Sequence, residues 1–308
     1  MTVSDRHILG IDWGTSNRRA YLVDAGGDCI DRRADDQGIL AAGPDFGPSL
    51  AALLADMRID AAVPVVASGM IGSAQGWREA PYLEADVPLE DLPRRLMPVQ
   101  DERAGRACLI VPGYRFQDHD GRIDVMRGEE MQLLGAVAQG RRDGWFVLPG
   151  THSKWVRLED GAIRHVSTFM TGELFATLGK LGTLAPLMDG PDDKDAFIAG
   201  VDAARRRAPL TQALFGIRAR AVTGAMPAAQ VRPAVSGLLI GAELAAAQDL
   251  LGDRAGDGGA GVASIAAPRL HGYYAAAAAR LGIGLQALDP DAVYRAALGV
   301  FLDRMDPP

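Results

Sequence analysis

The feature that most constrains this chain is an internal repeat. His7–Trp13 (HILGIDW) reads as a short apolar strand and Gly14-Thr15-Ser16-Asn17 as a tight turn. Arg18–Asp24 alternates like a second strand, and residues 29–33 suit a third after the turn at 25–28. The same order returns later: an apolar run at 145–149, the turn Gly150-Thr151-His152-Ser153, strands at 154–158 and 162–169, and a turn at 159–161 between them. The two Gly-Thr pairs begin at positions 14 and 150, an offset of 136 residues. Two copies at that spacing predict two domains rather than a solenoid. We expect an α/β protein with a mixed sheet in each domain, an N-terminal domain over 1–143, a C-terminal domain over 144–308, and a cleft between them.

The intervening pattern fits this plan. Residues 49–58, 127–139, 171–181, 194–207, 235–251, 270–281 and 291–305 carry helical periodicity, and 63–67, 107–111 and 262–266 read as buried strands. The glycine-rich stretch 252–261 reads as a loop. A chain of 308 residues is long enough for two cores. Net charge is −7, so a nucleic-acid partner is not expected. Cys29 and Cys108 make no disulfide framework, no apolar run reads as a membrane span, and the N-terminus has no apolar signal core. A cytoplasmic protein with no membrane partner is expected, with homo-oligomerisation open.

The turns carry the chemistry. Asp12 at a strand end, followed by Gly14, Thr15, Ser16 and Asn17, suits a nucleotide phosphate: glycine admits close approach, turn N–H groups face anionic oxygens, and the carboxylate can hold Mg²⁺ through water. A single such hairpin is more often a plain turn, but the second copy, Gly150-Thr151-His152 with Lys154 beyond it, favours a phosphate clamp. Arg127-Gly128-Glu129-Glu130 opens a predicted helix near the domain junction, where a general base is wanted. Glu129 and Glu130 both qualify, Glu129 has the edge by lying nearer the helix start, and Asp124 is next in line. Gly282–Ala287 matches a GxGxxA fingerprint but follows a helix rather than a strand, and there is no P-loop.

IDWGTSN (11–17) and PGTHSKWV (149–156) resemble the phosphate segments of the actin/hexokinase superfamily. GMIGSAQGWREAPYL (69–83), MRGEE (126–130), MTGELF (170–175) and SGLLIGAE (236–243) narrow the resemblance to the 2-keto-3-deoxygalactonate kinase family. The resemblance implies two ribonuclease-H-like domains, ATP and Mg²⁺, and phosphorylation of the 6-hydroxyl of 2-keto-3-deoxygalactonate. A sugar-acid sensor or an actin-like ATPase acting on proteins would share the fold. The kinase resemblance implies that Asp12 organises the metal and that Lys154 stabilises the transferred group. Gly237, Gly241 and Ala267 fall on the nucleotide side. Met70, Ser73, Trp77 and Tyr82 fall on the acceptor side, with Arg127 or Arg78 for the substrate carboxylate. Pro149 stands where many superfamily members have an aspartate, and Ala267-Pro268 where a glycine is usual, which predicts looser packing on the purine.

Overall fold

The computed structural model describes residues 6–252 and 261–305. The glycine-rich loop expected at 252–261 lies almost wholly outside them. Of the described residues, 6–143, 157–166 and 290–305 form one compact unit, and 144–156 with the described part of 167–289 form a second.

Unit 1 is built on a six-stranded sheet of β1 (His7–Trp13), β2 (Arg18–Asp24), β3 (Cys29–Asp35), β4 (Val65–Ser68), β6 (Met97–Asp101) and β7 (Arg106–Ile110), in the order β3-β2-β1-β4-β7-β6. Strands β1, β2 and β3 pair antiparallel, β1-β4-β7 run parallel, and β6 returns antiparallel. The parallel strands are apolar on both faces, as burial from both sides demands: Ile8, Leu9, Ile11, Val65, Val66 and Ile110 are all sealed. The core is completed by α1 (Ile39–Ala42) and α2 (Phe46–Asp56), and α3 (Glu129–Ala138) buries Met131, Leu133, Leu134 and Val137. A small sheet of β5 (Tyr82–Glu84), β8 (Gly113–Gln117) and β9 (Ile123–Met126) lies in the same unit.

The second sheet comprises β10 (Gly144–Leu148), β11 (Ser153–Glu159), β12 (Ala162–Phe169), β13 (Val262–Ile265) and β14 (Leu285–Leu288), in the order β12-β11-β10-β13-β14. Counted within each sheet, both begin third-second-first-fourth; the second sheet goes on to its fifth strand, and the first to its sixth, with its fifth at the edge. This is the ribonuclease-H-like arrangement laid down twice, and the chain has the actin/hexokinase-like ATPase fold. The helices of unit 2 are α4 (Thr171–Leu178), α5 (Lys194–Arg205), α6 (Leu210–Val222), α7 (Val231–Leu251) and α8 (Pro268–Arg280). Among the described residues, only the helical stretch Ala228–Leu251 is long and apolar enough to cross a membrane, a span that the sequence reading did not register. Most of it is buried in the unit 2 core, where Leu238, Leu244 and Ala247 pack and Glu243 is hydrogen-bonded.

The final helix α9 (Pro290–Arg304) belongs with unit 1, whereas the sequence reading placed all of 144–308 together. Its apolar side, Val293, Ala297, Leu298 and Phe301, is buried. It lies so close to α3 that a Cβ on Gly135 would strike the Val293 carbonyl, and so close to β1 that one on Gly10 would strike Leu298. The hairpin tip 157–166 also groups with unit 1, through Gly161 N–H on the Arg142 carbonyl (2.8 Å) and His165 against Phe116. The helix α6 and the strands β5, β6, β8, β9 and β14 were not foreseen.

Candidate active site

In unit 1 the end of β1 delivers Asp12. Trp13 beside it is sealed, donating Nε1–H to the Gln37 carbonyl at 2.7 Å with the Arg18 guanidinium 4.9 Å above its ring. The turn that follows is closed by Gly14 N–H on the Asn17 carbonyl at 2.9 Å. The carbonyls of Gly14 and Thr15 accept from Ile39 and Leu40, so the turn leans on α1 and leaves Thr15, Ser16 and Asn17 exposed.

Asp12 faces Arg19 directly across the hairpin, and the guanidinium donates to its Oδ2 at 2.6 Å. Arg19 also approaches Asp291 of α9, which takes Tyr21 OH at 2.7 Å and pairs with Arg32 at 3.0 Å. The sequence reading passed over Arg19, although direct opposition on a tight hairpin was a readable signal.

Asp12 is also level with Ser68 on the parallel strand β4. The next residue, Gly69, has φ +87°, and a Cβ there would lie 3.0 Å from the Trp13 carbonyl and 3.4 Å from Asp12 Oδ1. Gly128 has φ +110°, and its Cβ would lie 3.3 Å from the Gly69 Cα. Both positions require glycine for conformation and for space. Through this backbone contact the 126–130 segment meets the end of β1.

Glu129 and Glu130 begin α3 and turn back on their own approach. Glu129 accepts Arg127 N–H at 3.0 Å, and both oxygens of Glu130 accept Gly128 N–H, at 2.9 and 2.7 Å. Glu130 is 0% exposed. Burial first, then the neighbouring Glu129 charge, pushes its carboxyl up to about 8, against the pull of its own backbone N–H, the Gly128 N–H and the Arg127 charge. Glu129 is only partly buried.

Arg127 lies with its guanidinium 4.3 Å over the ring of Tyr82, and Nη2 donates to the Ala80 carbonyl at 2.8 Å. Its Nε and Nη1 are buried without a hydrogen-bond partner. Tyr82 is 41% exposed on β5. Ser73 closes a helical turn by donating Oγ–H to the Met70 carbonyl at 2.7 Å. Met70 and Trp77 pack on the unit 1 core, Trp77 stacked against Phe46 with centroids 6.3 Å apart, so core packing accounts for both. Arg78 is exposed, and Asp124 sits on β9.

In unit 2 the turn residues Gly150, Thr151 and His152 are exposed, and the N-terminus of α4 abuts them. Glu173 N–H donates to the Thr151 carbonyl at 2.9 Å, and a Cβ on Gly172 would run into the Gly150 carbonyl. His152 Nε2 lies 2.5 Å from Glu173 Oε2. Lys154, expected to reach the transferred phosphoryl, is 5% exposed and donates to Thr168 Oγ1 at 2.9 Å. Side chains alternate along a strand, so Lys154 points to the face opposite Ser153 and Trp155 and is held inside the sheet.

A cavity of about 700 Å³ opens beside this turn. Gly150, Thr171, Gly172 and Phe175 form one wall, Ser236, Leu239 and Ile240 of α7 another, and Ala267, Tyr273 and Tyr274 a third. At its rim Asp192 joins Arg232 (2.9 Å) to Arg269 (2.8 Å). Ala267, two residues beyond β13, is the N-cap of α8, and Pro268 starts that helix at its first turn, where a missing N–H costs no helical bond. Gly237 and Gly241, expected on the nucleotide side, do not line the cavity. They face α5, where a Cβ on Gly237 would strike the Phe197 carbonyl and one on Gly241 would lie 3.0 Å from the Val201 Cα. Their neighbours Ser236 and Ile240 turn to the cavity instead.

Comparison with known proteins shows the family of the chain. The model of the 2-keto-3-deoxy-galactonokinase family matches residues 12–300. A 2-dehydro-3-deoxygalactonokinase of Escherichia coli (strain K12) is 34% identical over 294 residues, covering 94% of this chain and 95% of the relative. A protein of Rhizobium meliloti (strain 1021) named as a probable 2-dehydro-3-deoxygalactonokinase is 37% identical over 302 residues, covering 95% of each. A crystal structure of a Sinorhizobium meliloti protein of the same assignment superposes with TM-score 0.86 at 34% identity, covering 98% of this chain and 97% of the other.

Proposed function

The chain belongs to the 2-keto-3-deoxy-galactonokinase family, and from that premise we propose that it transfers the γ-phosphoryl group of ATP to the 6-hydroxyl of 2-dehydro-3-deoxy-D-galactonate, in galactonate catabolism in the cytoplasm. It is a phosphotransferase with an alcohol acceptor, and the kinase family makes ATP the donor. The observation that carries the assignment of roles is the Gly69–Gly128 contact. It sets the carboxylate at the end of β1 and the two carboxyls at the start of α3 around one backbone junction.

Phosphoryl transfer asks for positioning and charge stabilisation more than for covalent chemistry. Asp12 is partly exposed beside a glycine and fits a Mg²⁺ site of the water-rich kind, with Gly69 leaving room for the hydration shell. When bound there, the metal neutralises charge on the phosphates. The turn Gly14–Asn17 exposes Thr15, Ser16 and Asn17, whose backbone N–H groups suit phosphate oxygens, and Gly150–His152 forms a second exposed turn in unit 2. Arg19, already on Asp12, adds positive charge at the same place.

Glu129 takes the proton from the acceptor hydroxyl. Glu130 is sealed and, with its carboxyl near 8, keeps its own proton at neutral pH, so it serves as the anchor of the turn. Arg127, with two unsatisfied guanidinium nitrogens and a ring beneath it, receives the sugar-acid carboxylate, and Tyr82 forms the exposed wall beside it. The unit 2 cavity takes the adenosine, with Ala267 and Tyr273 on its α8 side.

ADP release measured with ATP, Mg²⁺ and a panel of sugar acids tests the reading. Turnover with 2-dehydro-3-deoxy-D-galactonate well above that with its C4 epimer is expected. ADP release no faster with any sugar acid than with ATP alone would rule the activity out.

A further inference from the structure

We propose that Glu243 is the positioning residue of the nucleotide half: its side chain locks the second phosphate turn and the wall of the unit 2 cavity into one rigid body. The proposal rests on reading that cavity as the nucleotide site.

Glu243 lies midway along α7 and is 2% exposed. Its Oε1 accepts from Ser153 Oγ at 2.6 Å and from Trp155 Nε1 at 2.9 Å. Its Oε2 accepts from Thr171 Oγ1 at 2.5 Å and from Tyr274 OH at 2.7 Å. The division is functional. Ser153 and Trp155 are two residues apart on β11 and so share a face, and Ser153 directly follows the exposed turn Gly150–His152. Thr171 and Tyr274 both line the cavity. One oxygen therefore holds the strand that carries the turn, and the other holds two walls of the cavity.

A carboxylate suits this post because it only accepts, and its two oxygens serve four donors. Burial pushes the carboxyl up, while the hydrogen bonds from Ser153, Thr171, Tyr274 and Trp155 pull it back. Glutamine has the same shape but one oxygen. The indole N–H of Trp155 donates only, so the amide oxygen must face β11. The amide NH₂ then faces Thr171 and Tyr274, whose hydroxyls must reverse. Packing survives, but the registry of turn and wall is lost, and with it the preorganisation that supports nucleotide affinity.

The test is calorimetric titration of the whole protein with Mg-ATP and, separately, with the sugar acid, alongside thermal melting. In Glu243→Gln the Kd for Mg-ATP is expected to rise about tenfold while the sugar-acid Kd stays within about twofold and the melting temperature changes little. A folded Glu243→Gln that binds Mg-ATP within about twofold of wild type overturns the proposal, as does parallel loss of both ligands with the melting temperature. Should Glu243→Gln fail to fold, Tyr274→Phe removes one donor and keeps the ring. A rise of about threefold in the Mg-ATP Kd is expected there, and no change overturns the proposal. Wild-type protein that binds no Mg-ATP would instead sink the nucleotide reading itself.

Discussion

Among the described residues each unit buries one glutamate, Glu130 in unit 1 and Glu243 in unit 2, and the two are satisfied in different ways. Glu130 in unit 1 is met by backbone N–H groups, those of Gly128 and of Glu130 itself, with the charge of Glu129 next door. Glu243 in unit 2 takes four side-chain donors. Burial pushes both carboxyls up; at Glu243 four side-chain donors pull back and fix the group as a hub, whereas at Glu130 backbone N–H groups and the Arg127 charge pull back. The difference matches the work of the two halves. Unit 1 pairs Asp12 with Arg19 at the end of β1 and Glu129 with the Arg127 N–H at the start of α3, whereas unit 2 surrounds a largely apolar cavity, with Asp192, Arg232 and Arg269 at its rim and Glu243 sealed within.

The comparison implies that substitutions in unit 1 act on turnover or sugar-acid binding and those in unit 2 on nucleotide affinity. The largest expected effect is Glu129→Gln, which removes the proton acceptor and keeps size. Its kcat should fall about 10²–10⁴-fold with KM for both substrates little changed, as steady-state kinetics would show. Near-normal kcat would move the base to Asp124.

Next comes Gly237→Ala, whose methyl meets the Phe197 carbonyl and must push α7 from α5. Chemical denaturation should show a loss of about 1–3 kcal/mol, and KM for ATP should rise more than KM for the sugar acid, since Ser236 and Ile240 flank the site of the change. Equal changes in both constants would blur the division between units.

A pH series sharpens the contrast between the glutamates. Folded protein holds the Glu130 proton up to about pH 8, while the unfolded chain releases it near 4.5. The folded state therefore binds more protons across that window, and the stability contributed by Glu130 declines as pH rises through it. Glu130→Gln should flatten that part of the stability–pH curve, read by denaturation at a series of pH values. An unchanged slope would mean that Glu130 is ionised in the folded protein. The smallest effect is that of Tyr82→Ala, which removes the ring under Arg127 and should raise KM for the sugar acid by about three- to fivefold while leaving KM for ATP alone.

How much of this was legible in the sequence follows from how local each signal is. The paired hairpins were readable because strand, turn and strand lie within about twenty residues of one another and alternate cleanly. The small sheet was not, since β5, β8 and β9 are short and exposed on one side. Lys154 was misread because motif position suggested a free cation, while strand alternation, already visible in Ser153 and Trp155, puts it on the other face. Gly237 and Gly241 were read as ligand contacts, yet a glycine four residues from another on a long helix equally marks a close helix crossing, and only the position of α5 decides. Arg127 was readable as a cation near the base, but its two unpaired nitrogens exist only in three dimensions.

The return of α9 to unit 1 has a consequence for synthesis. Strand β1 and helix α3 emerge from the ribosome long before residues 290–304, which complete their packing through Val293 and Leu298. All of unit 2 is made in between. Unit 1 thus waits, with Gly10 and Gly135 facing no partner helix, until the polymerisation of unit 2 is over. On the roles proposed above, the half assigned the nucleotide has its whole sequence first, and the half assigned the proton acceptor is completed last.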